Sequence, residues 1–200
     1  MSSIGRAFLV LACVAVSACQ SVTLVYRFRT MTLNELAIID SDLRNGTLRT
    51  DSPGVGDFAS CDALATSGIS LALQRDSSGT LQNGTLKATA LTLSQHDTSP
   101  PNVPCDMGNT LPSLKIDTGR GLTIGTADRS GTAAIYVNNT QYTNTPSGAG
   151  SLFYKFTIDS RDPNSGLATG SFEFLGRNAD DLNDLRVIIV RAGTFSINAP

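Results

Sequence analysis

The chain has 200 residues, of which 40% are hydrophobic and 16% charged, and its formal net charge is −2. This length fits one globular domain, and the small net charge gives no electrostatic reason to expect a nucleic acid partner. Aromatic residues make up only 6% and Trp is absent, while Thr, Ser and Gly are abundant. Such a composition favours short strands and turns over a helical bundle. We therefore expect an all-β domain that does not bind nucleic acid.

The first 18 residues have the pattern of an export signal. A positively charged start that includes Arg6 precedes the apolar run 7–16. This run is too short for a membrane-spanning helix, which needs about 20 apolar residues. The segment 1–18 is therefore expected to direct export and to take no part in the fold.

The end of this signal carries the motif Val16-Ser17-Ala18-Cys19, which resembles the lipobox of bacterial lipoproteins. The resemblance implies that cleavage leaves Cys19 at the amino terminus, with a thioether-linked diacylglycerol and an acylated amino group. This lipid would anchor the protein to the cell envelope. In the same family of signals, Gln20 instead of Asp after the cysteine implies the outer membrane where the host has two membranes.

Residues 19–200 are expected to form one domain, and their cysteines agree with export. Besides Cys19, this part contains Cys61 and Cys105, and such a pair in an exported chain indicates a disulfide. A zinc or haem site is not expected, because His96 is the sole histidine and neither Cys61 nor Cys105 has a second cysteine within two to four residues. We expect no cofactor.

Alternating apolar and polar residues predict strands along most of this domain. The first is predicted over 22–28. Thr32 and Glu35 follow with the spacing of a capping box, which predicts a helix over 33–43. A second interpretation, which stays open, replaces this helix with two short strands between residues 35 and 50.

Further strands are predicted in antiparallel order. Segments 69–73 and 84–93 are expected to pair through a turn at 76–79, followed by an exposed Pro-rich loop over 95–111 and a polar turn over 138–150. The later predicted strands are 114–116, 122–124, 132–137, 152–158, 168–174, 185–190 and 193–197. Their number and the lack of crossover helices favour an antiparallel β-sandwich, with a small β-barrel as the alternative.

The C-terminal part resembles the closing hairpin of uncharacterised bacterial lipoproteins of β-sandwich type. The resemblance consists of a Gly-x-Phe-x-Phe strand, residues 170–174, and a final Gly-x-Phe strand, residues 193–195. It implies a fold and an envelope location. It brings no catalytic residues with it.

Motifs for nucleophilic catalysis are missing from the sequence. A Ser-His-Asp set would need His96, which we interpret as a solvated residue of the Pro-rich loop, and no Gly-x-Ser-x-Gly motif occurs. Two carboxylates about 5 to 9 Å apart can form a glycosidase site. Glu173, however, alternates with Phe172 and Phe174 and is expected on the outer face of the sheet.

Calcium is the one metal for which the sequence supplies candidate ligands. Asp180, Asp181 and Asp184 concentrate carboxylate oxygens in one loop, and such oxygens are the ligands that calcium takes. Runs of this kind are more often solvated turns, so both interpretations stay open.

Together these observations predict a lipid-anchored envelope protein without enzymatic activity that acts as a binding or structural module. The membrane is its partner through Cys19, and an envelope protein or a glycan would be bound by loops 95–111 and 138–150. One alternative is an envelope hydrolase that uses paired carboxylates on glycan or peptide. The other is a barrel that carries an apolar ligand in an unfilled interior.

Overall fold

The computed structural model describes residues 20–49, 60–95 and 112–198. The export signal, Cys19, His96, Cys105 and residues 96–111 of the Pro-rich loop lie outside the described residues, so the inferences that depend on them stay predictions. Gln95, predicted as the first residue of that loop, lies in a strand. Within the described ranges, no helix has the length and hydropathy needed to cross a membrane.

The described part of the chain forms one α-helix and eleven β-strands. In chain order the elements are β1 (Ser21–Thr30), α1 (Leu33–Asn45), β2 (Ser60–Ala65), β3 (Ile69–Arg75), β4 (Leu81–Ala88), β5 (Thr92–Gln95), β6 (Ser113–Asp117), β7 (Thr132–Val137), β8 (Thr140–Thr143), β9 (Tyr154–Arg161), β10 (Leu167–Asn178) and β11 (Arg186–Asn198).

These strands belong to a single antiparallel sheet. The order of the strands is β3-β4-β6-β7-β8-β10-β11-β1-β2-β5. Strand β9 lies off this path and pairs with residues 168–174 of β10. On the same edge of β10, the next residues, Arg177 and Asn178, pair with β8. The sheet curls until it is nearly closed into a barrel. The prediction of an antiparallel all-β domain with one short N-terminal helix is confirmed.

Helix α1 begins where the capping box predicts. The Glu35 N–H donates to the Thr32 hydroxyl at 3.3 Å, and the Thr32 N–H donates to the Glu35 carboxylate at 2.8 Å. These bonds satisfy two of the donors that the first turn of a helix leaves without partners. The helix ends at Gly46, whose φ of 72° suits glycine. The alternative with two strands in this region is therefore excluded.

The inner face of the curled sheet is a filled apolar core. Tyr26, Phe156, Phe172 and Phe174 are its largest members and are at most 1% exposed. These side chains come from β1, β9 and β10, on which alternate residues point inwards. The interior of the described sheet is thus occupied by side chains from facing strands.

A second apolar cluster lies on the outside of the sheet. Leu36, Ile39 and Leu43 of α1 pack there against a face that includes Leu175 of β10 and Ile189 of β11. Because α1 covers the outer face and the core covers the inner face, the run Val187–Val190 is buried on both sides. The helix therefore has a fixed seat on β10 and β11.

Strand β11 contains one extra residue at its middle. Gly193 pairs with Phe172 and Val190 pairs with Phe174, so three steps along β11 match two along β10. Ala192, within this β-bulge, has a φ of 50°. The two strands predicted over 185–190 and 193–197 are consequently one continuous strand.

Three other predicted boundaries are wrong. The strand predicted over 84–93 ends at Ala88, because Ala90 turns the chain with a φ of 55° and β5 then pairs with β2. Leu122, in the strand predicted over 122–124, is buried but lies in an irregular segment and not in a strand. The polar turn predicted over 138–150 contains β8, since Asn138 and Asn139 both have positive φ and form a two-residue hairpin turn after β7.

Candidate functional site

A groove of about 450 Å³ opens on the outer face of the sheet, beside the end of α1. We call it the helix-end groove. Concave sites with an apolar lining and a few polar groups are typical of ligand binding. Its lining residues are Leu43, Gly46, Leu48, Arg49, Arg129, Phe153, Lys155, Glu173 and Ala192.

One wall of the groove is a charged pair on neighbouring strands. Lys155 of β9 and Glu173 of β10 are direct partners in the sheet register, and Lys155 Nζ lies 3.2 Å from Glu173 Oε1. Their neighbours Phe156 and Phe172 face the core, so the alternation of a strand turns this pair outwards. Glu173 therefore lies on the outer face of the sheet, as expected, and its carboxylate is held by a lysine.

The opposite wall is the end of α1, which two residues fix to the sheet. Asp40 accepts a hydrogen bond from the Phe153 N–H, just before β9. Arg44 donates to Asp40 at 2.7 Å and to the Ser151 carbonyl at 2.7 Å. These bonds connect the last turns of the helix to the segment that leads into β9, so the two walls are held at a fixed separation.

The carbonyl groups at the end of α1 are occupied by donors. The Asp42 carbonyl accepts from the N–H groups of Thr47 and Leu48 at 3.0 and 3.2 Å. The Arg44 carbonyl accepts from Arg129 Nη1 at 3.1 Å. The partial negative charge of the helix C-terminus is thereby compensated by hydrogen-bond donors and by a guanidinium group.

Asp128 holds the loop that presents Arg129. Its carboxylate accepts from the N–H groups of Gly119 and Ser130 at 2.6 and 3.0 Å, and from the Tyr154 hydroxyl at 3.3 Å. Burial, together with the negative charge of Asp128, raises the pKa of Tyr154, so its hydroxyl remains a donor. The hydrogen bonds of Asp128 thus fix the loop on which Arg129 lies.

A second depression, of about 350 Å³, lies across β1 and β2. It shares Ala192 with the helix-end groove, so the bulge of β11 separates the two. Asp62 contributes a carboxylate to its lining, and Leu64 is an apolar side chain that is 43% exposed. The outer face of the sheet is therefore uneven on both sides of the bulge.

The candidate calcium ligands lie in a turn and serve local contacts. Asp181 accepts from the Asn183 N–H at 2.9 Å, and Asp184 accepts from Arg186 Nη2 at 2.7 Å. Hydrogen bonds from this guanidinium lower the pKa of Asp184 to about 2. Asp180, Asp181 and Asp184 do not form a cluster that could hold a metal ion, nor does any other group of three acidic, His or Cys side chains in the described ranges.

Cys61 is disulfide-bonded and lies on the inner face of β2, where it is 5% exposed. Its predicted partner, Cys105, lies outside the described residues. The prediction that these two cysteines are joined therefore stays a prediction, although Cys61 itself is in the state that export favours.

The sequence singles out only one charged residue of the groove, Glu173. Arg49, Arg129 and Lys155 stand in separate segments, and no spacing in the sequence connects them. The register of β9 on β10 is what brings Lys155 to Glu173. A signal for the pair existed only in the matching alternation of the two predicted strands.

No family model, no curated protein and no solved structure matches this chain.

Proposed function

We propose that this chain is a lipid-anchored protein of the cell envelope that acts as a non-enzymatic binding module, with the helix-end groove as its binding site. The observation that carries the proposal is the position of β1. This strand begins at Ser21, two residues after Cys19, and pairs with β11 on one side and β2 on the other. A lipid on Cys19 would therefore hold the folded domain directly at the bilayer, without a flexible tether.

Lipidation of this kind is sufficient for stable attachment. Each methylene buried in the bilayer contributes about 0.8 kcal/mol, and stable anchoring takes more than one acyl chain. The lipobox resemblance implies a diacylglycerol and a further acyl group on Cys19. Gln20 favours the outer membrane in a host with two membranes. An envelope protein or a glycan is the partner class that this location favours.

The interior of the sheet supports binding at its surface over transport in a cavity. A carrier of an apolar ligand needs an unfilled barrel. Here the inner face of the described strands is packed with buried side chains, among them Phe156, Phe172 and Phe174. An apolar ligand would have to displace this core.

The groove itself supports binding over hydrolysis. A glycosidase needs two carboxylates about 5 to 9 Å apart. Glu173 is the carboxylate among the described residues that line the groove, and it is paired with Lys155 at 3.2 Å. This arrangement suits charge recognition better than acid and base catalysis.

The anchor can be tested by mass spectrometry of the protein purified from bacterial membranes. We expect the N-terminal peptide to begin at Cys19 and to carry the mass of a diacylglycerol and an acyl chain. Cys19→Ser should yield an unprocessed or released protein that lacks this mass. Cys13→Ser, which removes the other cysteine of the signal, is the matched control and should be processed and lipidated normally. An unmodified Cys19 in the wild-type protein would overturn the proposal.

A further inference from the structure

The described lining of the helix-end groove contains more cationic than anionic side chains. Among the described residues that line it, Arg49, Arg129 and Lys155 are cationic and Glu173 is anionic. Among these residues, positively charged side chains therefore outnumber negatively charged ones. Clustered charges of one sign attract a ligand of the opposite sign, so these side chains favour an anion.

Two of these cations keep hydrogen-bond donors for a ligand. Arg129 has five N–H donors, of which one is used on the Arg44 carbonyl, and no other protein partner is found in the described ranges. Lys155 has three donors and one partner there, Glu173. Both side chains can therefore bind an anionic oxygen without losing their present contacts.

The end of a helix is ordinarily a poor place for an anion, because its free carbonyl groups carry partial negative charge. At the end of α1 this objection is weakened. The Asp42 and Arg44 carbonyls already accept hydrogen bonds, the second one from Arg129. An anion in the groove would meet the guanidinium and not a row of bare carbonyl oxygens.

The remaining lining is apolar, so a ligand that fits the groove also needs an apolar group. Leu43 and Phe153 are each 4% exposed and belong to the cluster beneath α1, and Leu48 packs against the same cluster. Ala192 presents only a methyl group at the bulge. Leu48 is half-buried and Ala192 is exposed, so an apolar or aromatic body would cover the apolar surface of these two residues, whereas a fully hydrated inorganic ion would not.

We propose that the helix-end groove binds a small organic anion, with a phosphate or carboxylate group on an apolar or aromatic body. This inference rests on the proposed function, because it names the ligand class of the same groove. Arg129 and Lys155 bind the anionic group, and Leu48 and Ala192 contact the body. Glu173 opposes the anion and so limits its affinity.

The ligand class can be tested by calorimetric titration of the lipid-anchored protein in nanodiscs of phosphatidylcholine. The probes are phenyl phosphate, benzoate, inorganic phosphate and phenol. We expect phenyl phosphate or benzoate to bind at least tenfold more tightly than both inorganic phosphate and phenol. The stronger of the two organic anions decides between a phosphate and a carboxylate ligand. No binding of either by the folded protein would overturn the inference.

Charge-removing variants provide a test in which the expected effects have opposite signs. Arg129→Gln and Lys155→Gln should each weaken binding of the organic anion by about tenfold, roughly one lost charge-assisted hydrogen bond. Glu173→Gln should tighten binding several-fold. Lys87→Gln on β4 removes the same charge from an exposed side chain outside the groove and should change affinity less than twofold.

A steric variant tests the site independently of charge. Ala192→Met should fill the groove and abolish binding, while Ala192→Gly, which keeps the space open, should bind like the wild type. Circular dichroism verifies that each variant is folded. If Glu173→Gln weakens binding as the lysine and arginine variants do, the inference is overturned. Loss of organic anion binding by a correctly lipidated protein leaves the anchor intact, so the two proposals fail in different measurements.

Discussion

Replacement of Gly193 by alanine should destabilise the domain through one identifiable contact. Gly193 pairs with Phe172 across β10 and β11, and a Cβ added to it would lie 2.5 and 2.7 Å from Cδ2 and Cζ of the Phe172 ring. Real carbon atoms do not approach so closely without displacement. Phe172 is 1% exposed, so its ring has no solvent side into which it can move.

The expected cost follows from this lack of space. Overpacking a core by one methyl group typically costs about 1 to 3 kcal/mol. Because more than one atom of an enclosed ring is affected, we expect Gly193→Ala to cost about 2 to 3 kcal/mol. That is a large part of the total stability of about 5 to 15 kcal/mol that a domain has.

Urea unfolding with the disulfide intact measures this loss as a lower midpoint at an unchanged slope. Gly150→Ala is the matched control, since a Cβ at Gly150 would have no atom within 4 Å and its φ is not in the left-handed region. This control should be neutral or stabilising by up to about 1 kcal/mol, because alanine restricts the unfolded chain.

A double-mutant cycle separates the ring contact from a general effect on the strand. Phe172→Leu removes the ring atoms that the new methyl group would meet. The combination of Gly193→Ala and Phe172→Leu should therefore cost at least about 1 kcal/mol less than the sum of the single changes. Strict additivity, or a cost of Gly193→Ala below about 0.5 kcal/mol, would refute the reasoning.

Three further predictions concern the helix cap, acid stability and the disulfide. Thr32→Ala removes the capping hydroxyl of α1 and should cost about 1 kcal/mol in thermal or urea unfolding, an effect that Thr32→Ser should largely avoid. Arg186 lowers the pKa of Asp184 to about 2, so the stabilising effect of this carboxylate is present above about pH 4 and is lost as pH falls towards 2. Asp184→Asn should therefore reduce the dependence of the unfolding free energy on pH between 4 and 2. An unchanged dependence in this interval would contradict the stabilising role of the Asp184–Arg186 pair. Peptide mapping should find Cys61 joined to Cys105, and Cys61→Ser should cost about 4 kcal/mol, as expected for a closed loop of this length.

The parts of the fold that the sequence predicts are those in which local signals agree with tertiary structure. The capping box at Thr32 and Glu35 marks the start of α1 to the residue. The alternation in 22–28 identifies β1, and the apolar run in 132–137 identifies β7. In these segments the side chains that favour an element locally are also those that pack in the core. Consistency between the two levels is what makes them predictable.

The strands that the sequence does not predict lack this agreement between local pattern and tertiary structure. β2, β5 and β8 are four to six residues long, and each contains a single large apolar residue, namely Leu64, Leu93 or Tyr142, so no apolar pattern stands out. β8 is moreover polar in sequence, and its position depends on the two asparagines of the hairpin turn before it and on two residue pairs with β10. Tertiary pairing, and not local preference, determines these strands.

The groove was not predictable for a related reason. Its charged residues belong to the segment after α1, to the loop before β7 and to two strands, and their proximity exists only in the folded chain. Arg129 reaches the groove because Asp128 fixes its loop from the neighbouring position. In the sequence, nothing distinguishes Arg129 from the other arginines.

The glycine and phenylalanine motif of the C-terminal hairpin has a structural explanation that also accounts for the groove. Gly170 pairs with Phe195, and Phe172 pairs with Gly193, so each strand supplies a ring that covers the glycine of the other. This reciprocal packing resembles the aromatic rescue of glycine in designed sheets. The motif therefore encodes core packing and contains no chemistry of its own.

The same hairpin nevertheless shapes the outer surface, because its register requires the bulge. Before the bulge, Val190 faces the core; after it, Gly193 and Phe195 do so, and the extra residue turns Ala192 towards solvent. Without that residue, Gly193 could not lie opposite Phe172, and the outer face would continue without interruption. One inserted residue thus places Gly193 in the core on one side of the sheet and Ala192 in the lining of both surface depressions on the other.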